Sequence, residues 1–294
     1  MTMSQLAMLD AFEALVCARR SVRQFLPAAT APVPAPVLQR LLSLVSRSPS
    51  SFNAQPWLCV VVRSEPQRGA LAGAMLGRNQ AVVKTAPLSL VFAADTEPTS
   101  RLPRLLELER DHALASDAES QSAGDSGPQA AQGAMANGVT LFGGGATMLK
   151  QAVTHTLSPL QPMPSISSPE AWAFKQTMPA VQTFLLGAVA AGLSACPMEG
   201  FDGRRVRDVL RLPGRFSVPV VVAAGYAADT DTDTDAGADV GASGAAGTAG
   251  AAAMKEGEWS VGAEQPFTPR LPLDEVFFVD EFGGSAPLFD TDAA

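Results

Sequence analysis

The chain of 294 residues holds only two histidines, three cysteines, one tyrosine and three tryptophans, and each scarcity removes a class of function. His112 and His155 stand at metal-ligand spacing neither from each other nor from a cysteine, so metal catalysis and a Ser-His-Asp triad find little support. Cys17, Cys59 and Cys196 are odd in number and far apart, which offers no disulfide framework and no close pair for zinc; a reducing compartment fits best. No run approaches the roughly 20 apolar residues of a membrane-spanning helix, so a soluble chain without a membrane span is expected. Basic charge is also in deficit. Against 29 Asp and Glu stand 21 Lys and Arg, a formal net charge of -8 that repels polyanions, and nucleic acid is not an expected partner.

What is present is apolar bulk: 47% hydrophobic residues suffice for a full-sized core, read as one domain over 1–294 with loose insertions. Leu6, Leu9, Phe12, Leu15 and Val16 recur at helical spacing, with Asp10 and Glu13 among them and no basic residue before Arg19. This predicts a docking helix over about 4–18, not a secretory signal. An intracellular site is expected, with cytoplasm and organelle left open. A second helix follows from Val37, Leu38, Leu41, Leu42 and Val45, and further helical stretches are predicted near 67–77 and 169–192. Trp57–Val62, Leu88–Ala93 and Val218–Ala224 are short and rich in β-formers, as buried strands are. Helices alternating with buried strands predict an α/β or α+β layered domain.

Two segments lack the apolar side chains that offset ordering entropy. Residues 111–138 read as a disordered insertion, and 227–263 as a low-complexity loop, opening on a DT repeat and continuing in Ala and Gly. Asp229, Asp231, Asp233 and Asp235 start like a calcium loop, but the sixth position lacks Gly and the twelfth lacks Glu. Gly143–Gly145 fit neither a phosphate loop nor a dinucleotide fingerprint and read as a turn.

Three separated segments carry groups suited to a phosphorylated flat ligand. Arg19, Arg20 and Arg23 gather three guanidiniums around Ser21 at a helix end; such bidentate donors suit a phosphate, and a solvated basic turn would look the same. Ser48 to Trp57 packs hydroxyls and amides into a loop before a strand, where ligands are commonly bound, and is equally a turn-rich connection closed by Pro56. Gly192 to Asp202 brackets Glu199 between Pro197 and Gly200, a turn able to aim a peptide N–H at a flat ring, or simply a helix C-cap and loop. Cys196 reads as a small core residue, with no histidine near it in sequence.

RRSVRQF, SPSSFNAQPW and AAGLSACPMEGFD, in this order, resemble the nitroreductase family of FMN-dependent NAD(P)H oxidoreductases; EAWAFKQTMPAVQTFLLGAVAAGL resembles its long central helix and FTPRLPLDEVFF its closing arginine and crossing tail. The resemblance spans about 10–95 and 168–285. It implies an α+β, three-layer fold, with a central mixed or antiparallel sheet flanked by helices, in an intertwined homodimer with FMN at the subunit interface. It further implies that Arg19, Ser21 and Arg23 hold the phosphate and the flavin's electron-rich edge, with Arg20 in the same stretch and Arg270 completing the clamp. Ser50, Ser51, Asn53 and Gln55 would reach FMN from the other subunit, and Pro197, Met198, Glu199 and Gly200 would lie over the ring. Asn79 and Lys84 are weaker candidates because their spacing departs from the family's. The implied chemistry passes a hydride from NADH or NADPH through FMN to small aromatic acceptors, nitro compounds or quinones, in ping-pong order. The alternatives are a reductive dehalogenase, a flavin-modifying enzyme, or a flavin-binding protein without turnover.

Overall fold

The computed structural model describes residues 2–119, 157–160, 168–228 and 276. The chain falls into two units, Met1–Thr248 and Ala249–Ala294. The first carries the fold set out here; of the second only Val276 is described. The DT repeat, Gly143–Gly145, His155 and Arg270 lie outside the described residues.

Local signals start the helices. Thr2 and Gln5 cap α1 (Met3–Ala18) reciprocally, Thr2 N–H donating to Gln5 Oε1 at 2.8 Å and Gln5 N–H to Thr2 Oγ1 at 3.2 Å. In α2 (Ala35–Val45), Pro36 sits in the first turn, where a missing N–H costs nothing, and Leu38, Leu41 and Val45 bury one stripe. The helical stretch expected near 67–77 is α3 (Glu65–Ala72), which stops at Ala72; a second short helix, α4 (Asn79–Thr85), follows beyond that stretch, after Gly77 at φ +52°. After α5 (Leu102–Glu119) come the 22-residue α6 (Pro169–Ala190), capped by Ser168, and α7 (Gly203–Leu210), whose Asp202 accepts from the Arg204 and Arg205 N–H groups.

Four strands, β1 (Trp57–Val62), β2 (Leu88–Asp95), β3 (Ser194–Met198) and β4 (Phe216–Gly225), make a sheet of order β1-β2-β4-β3 in which every pairing is antiparallel. Of the mixed-or-antiparallel expectation, the described sheet takes the antiparallel form; its parallel element is a single bridge from Ser21 to Ala195. Alternation of side chains then builds two cores. Leu88, Leu90, Phe92, Val220, Val222 and Ala224 face α2 and α6, meeting Leu41, Val181 and Phe184. Val91, Ala93, Val221, Ala223, Cys196 and Met198 face the other way, onto Leu71 of α3, Val82 of α4 and Val206 of α7. Helix, sheet, helix is thus a three-layer α+β arrangement. Burying Phe92 and Phe184, each at 1% exposure or less, contributes on the order of 2–3 kcal/mol apiece.

One irregularity matters for that division. Phe92 pairs with Val220 but Ala94 with Ser217, so β4 carries an extra residue around Val218–Pro219, where proline has no N–H to give a ladder. The one-residue slip turns Phe216 and Val218 to the face that Val221 and Ala223 occupy.

Two expectations are revised. The segment Gly192–Asp202 reads in sequence as a turn or helix cap, yet Ser194–Met198 within it is a strand, β3; Pro197 is tolerated because β3 is the last strand of the order. The segment 111–138 reads in sequence as a disordered insertion; its first nine residues, 111–119, are the end of α5. Once a helix is nucleated, Ala-rich sequence propagates it without large apolar side chains. Residues 120–138 lie outside the described residues. Among the described residues no helix is long and apolar enough to cross a membrane, and no group of His, Cys, Asp or Glu is placed to hold a metal.

Candidate functional site

The basic turn is built by the end of α1. Arg20 Nη1 donates to the Cys17 carbonyl at 2.5 Å and to the Arg19 carbonyl at 3.2 Å, satisfying oxygens that the helix terminus leaves without partners. The chain then runs extended along β3: Ser21 bridges Ala195, Val22 N–H donates to Ala195 O at 3.2 Å, and Leu26 N–H to Tyr226 O at 2.9 Å. That cover protects the strand edge and sets the first sequence segment against the third. Ser21 is half-buried and Arg23 exposed.

Alternation along β3 separates the residues of the third segment. Met198, 4% exposed, packs into the core with Val206 and Phe216, so only its backbone is available to a ligand. Pro197 faces the other way and, with Glu199, borders a cavity of about 410 Å³ whose opposite wall is α6, through Met178, Val181 and Gln182. Gly200 follows at a close approach: Asn79 Nδ2 donates to its carbonyl at 3.1 Å, and a Cβ there would lie 2.7 Å from that nitrogen. Asn79, a weak candidate by spacing, is therefore brought to this turn, whereas Lys84 is exposed in the last turn of α4.

The loop 48–55 is fastened to α6. Buried Ser48 shares a 3.0 Å hydrogen bond with Thr183 Oγ1, and Ser51 N–H donates to Gln176 Oε1 at 2.7 Å. Within the loop, Ser50 Oγ accepts from Gln55 N–H at 2.9 Å, and Gln55 Nε2 donates to Asn53 O at 3.3 Å and Oδ1 at 3.2 Å. Phe52, Asn53 and Gln55 all hold positive φ, at 55°, 50° and 43°. Such conformations cost non-glycine residues roughly 1 kcal/mol or more each and persist only where surrounding structure enforces them, often at ligand sites.

Part of that enforcement comes from residues that no motif singles out. Asp95, with no exposed surface, pairs with Arg101 Nε at 3.2 Å and Arg215 Nε at 3.4 Å, and accepts from Glu97 N–H at 3.0 Å. Arg101 Nη1 donates to the carbonyls of both Gln55 and Trp57 at 2.9 Å. Burial raises the Asp95 carboxyl above its ordinary range, opposed by the Glu97 N–H and the Arg215 and Arg101 charges; burial likewise lowers Arg101, with Asp95 opposing. The three acidic and basic partners come from the end of β2, the turn Pro98–Arg101 and the start of β4, distant in sequence and without a motif.

As a donor set these groups suit a phosphorylated, flat, heteroatom-rimmed ligand. Guanidiniums and a hydroxyl can take phosphate, amides can meet ring heteroatoms, and the cavity's volume falls in the usual range for small-molecule sites.

Comparison with known proteins agrees with the motifs. The chain is 33% identical over 211 residues to the NADH dehydrogenase of Thermus thermophilus, covering 72% of this chain and 84% of that one. Its fold is similar to the solved nitroreductase ydfN of Bacillus subtilis, with a TM-score of 0.58 at 21% identity over 79% of this chain and 96% of that one. It is also similar to a nitroreductase of Exiguobacterium sibiricum solved in complex with FMN, with a TM-score of 0.53 at 18% identity over 76% and 91%. With the model of the Nitroreductase family matching residues 16–226, the segments that meet at β3 are those of a family member: this chain belongs to the Nitroreductase family.

Proposed function

We propose that the chain is an FMN-dependent oxidoreductase that carries electrons from NADH or NADPH to small aromatic acceptors, nitro compounds or quinones, by a ping-pong hydride mechanism in a homodimer. The observation that carries this reading is the junction of Ser21 and Val22 with Ala195. It brings the arginine turn onto the strand whose next residues, Pro197 and Glu199, border the cavity over α6.

Arg19, Ser21 and Arg23 would bind the phosphate and the electron-rich ring edge, with Arg20 stiffening the turn from the helix end and Arg270 of the tail completing the clamp. Pro197 and Glu199 wall the cavity, and Met198 and Gly200 offer backbone groups beside them. Ser50, Ser51, Asn53 and Gln55 would approach from the partner subunit, Ser51 held in advance by Gln176 of α6 and the other three by bonds within the loop. Bound FMN would supply the hydride acceptor and donor chemistry, so no side-chain acid or base is required. The guanidiniums would contribute positive charge beside a bound flavin, and Val181 and Pro197 would give it an apolar wall. The domain reading belongs to the same proposal: one catalytic domain whose low-complexity segments are insertions.

The test is the visible spectrum of the purified protein, recorded anaerobically before and after NADH. A flavin spectrum that bleaches on NADH is expected; a colourless protein, or a flavin that NADH leaves oxidised, overturns the proposal. Arg23→Ala should lower flavin content or slow reduction, and no change in either counts against the assigned phosphate site. Turnover of a nitrofuran in preference to a halotyrosine separates this reading from a reductive dehalogenase.

A further inference from the structure

The loop Ser50–Gln55 turns back on itself through three left-handed residues, and its own hydrogen bonds run between neighbours within it. Its N-terminal half is held from outside by Gln176 of α6, and Ser48, just before it, by Thr183 of the same helix. Its C-terminal half meets a different support. Arg101 Nη1 reaches the carbonyls on both sides of Pro56, and the Pro56 carbonyl accepts from Asp95 N–H at 2.8 Å, so three successive carbonyls are fixed by one corner of the fold. The same guanidinium turns its Nε to the buried Asp95 carboxylate, while Arg215 takes the other oxygen. Both guanidiniums lie over the Phe216 ring, 5.8 and 5.0 Å from its centroid. Asp95 Oδ2 and Arg215 Nε make no well-aligned hydrogen bond, so the cluster is held largely by charge.

The β1–β2 ladder does not need this cluster, since Trp57 pairs with Ala94 and every following residue of β1 has its β2 partner. A buried ion group is a poor way to gain stability alone and is better suited to specifying one conformation. Here the specified conformation is that of Gln55, whose side chain in turn bonds Asn53.

We infer that Arg101, braced by Asp95 and Arg215, is a positioning residue that holds the loop Ser50–Gln55 in its ligand-ready form. The inference rests on the reading of that loop as part of the FMN site, and Arg101 itself is assigned no contact with the cofactor. A lysine cannot substitute: its single nitrogen can meet the carboxylate or the two carbonyls, whereas the planar fork of arginine meets both.

The experiment uses the full-length protein, wild type against Arg101→Lys and Arg101→Met, with two readouts. The first is hydrogen exchange of the amides of Asn53, Ala54, Gln55 and Trp57 in flavin-free protein, whose bonds depend on the loop's geometry. The second is the FMN dissociation constant from flavin fluorescence. In both variants these amides should exchange faster, with β2 and β4 amides unchanged in Arg101→Lys, and FMN should bind roughly tenfold or more weakly. Arg101→Lys keeps the charge beside Asp95 and guards against a variant that merely misfolds. An FMN dissociation constant within twofold of wild type in Arg101→Lys, or loop protection unchanged there, overturns the inference while leaving the proposed function intact. A wild-type protein that binds no FMN overturns the proposed function and, with it, this inference.

Discussion

Gly225 ends β4 where three segments converge, and replacing it with alanine tests whether the junction beneath the candidate site is as tight as it looks. It pairs with Ser194 of β3, and an added Cβ would lie 2.3 Å from Pro87 Cγ, 2.5 Å from Pro87 Cδ and 3.4 Å from Phe25 Cδ1. Contact with the Pro87 ring falls about 1 Å short of ordinary van der Waals separation. The ring cannot rotate aside as a longer side chain would, because its atoms close on its own backbone. Either β4 or the turn before β2 must move, and overpacking of this kind costs about 1–3 kcal/mol. For a folded unit of this size, about 2 kcal/mol lowers Tm by roughly 4–8 °C. Gly69 provides the control. It lies inside α3 with nothing within 4 Å of its added Cβ, so Gly69→Ala should stabilise by about 0.4–1 kcal/mol through the unfolded chain and helix propensity. Urea unfolding of both variants, with m-values compared to wild type, measures the two signs together. A Gly225→Ala protein within about 0.5 kcal/mol of wild type would refute the reasoning, since surface-like tolerance is incompatible with that contact.

Further outcomes concern groups that burial perturbs. Burial pushes the Cys59 thiol up to about 12 and Cys196 is buried, whereas Cys17 is exposed, so Ellman's reagent should titrate at most one thiol per native chain and three in denaturant; two or more reacting in the native protein would show the sheet is open. The Asp95 carboxyl is raised above 3.8, so the folded chain binds its proton more tightly than the unfolded chain. That contribution is full below about pH 4 and is lost as pH rises through the folded value. Asp95→Asn keeps the neutral shape without titrating; its stability relative to wild type should therefore rise between pH 4 and pH 7, and a difference that does not vary with pH would contradict the direction of the shift.

The residue types that make up the proposed site are legible locally. The arginine turn, the amide-rich loop and the Pro-Met-Glu-Gly turn each stand out by residue type, and the family they resemble is the family the chain belongs to. Their arrangement was not. Met198 reads as a ring-facing residue from its place beside Glu199, yet strand alternation sends its side chain to the opposite core. Asn79 looked misplaced by spacing, and only the packing of α4 against the 199–202 turn sets its amide on Gly200.

The same division runs through the fold. Trp57–Val62 and the stripe Leu38, Leu41, Val45 were legible because burial imposes a period of about two or 3.6 that a short segment carries in itself. The bridging of Ser21 to Ala195, the strand status of SACPM, the slip at Pro219 and the meeting of Asp95, Arg101 and Arg215 carry no such period. Each depends on hydrogen bonds or charges between residues far apart in the chain, and a local pattern records what a segment must bury but not which distant partner it will meet.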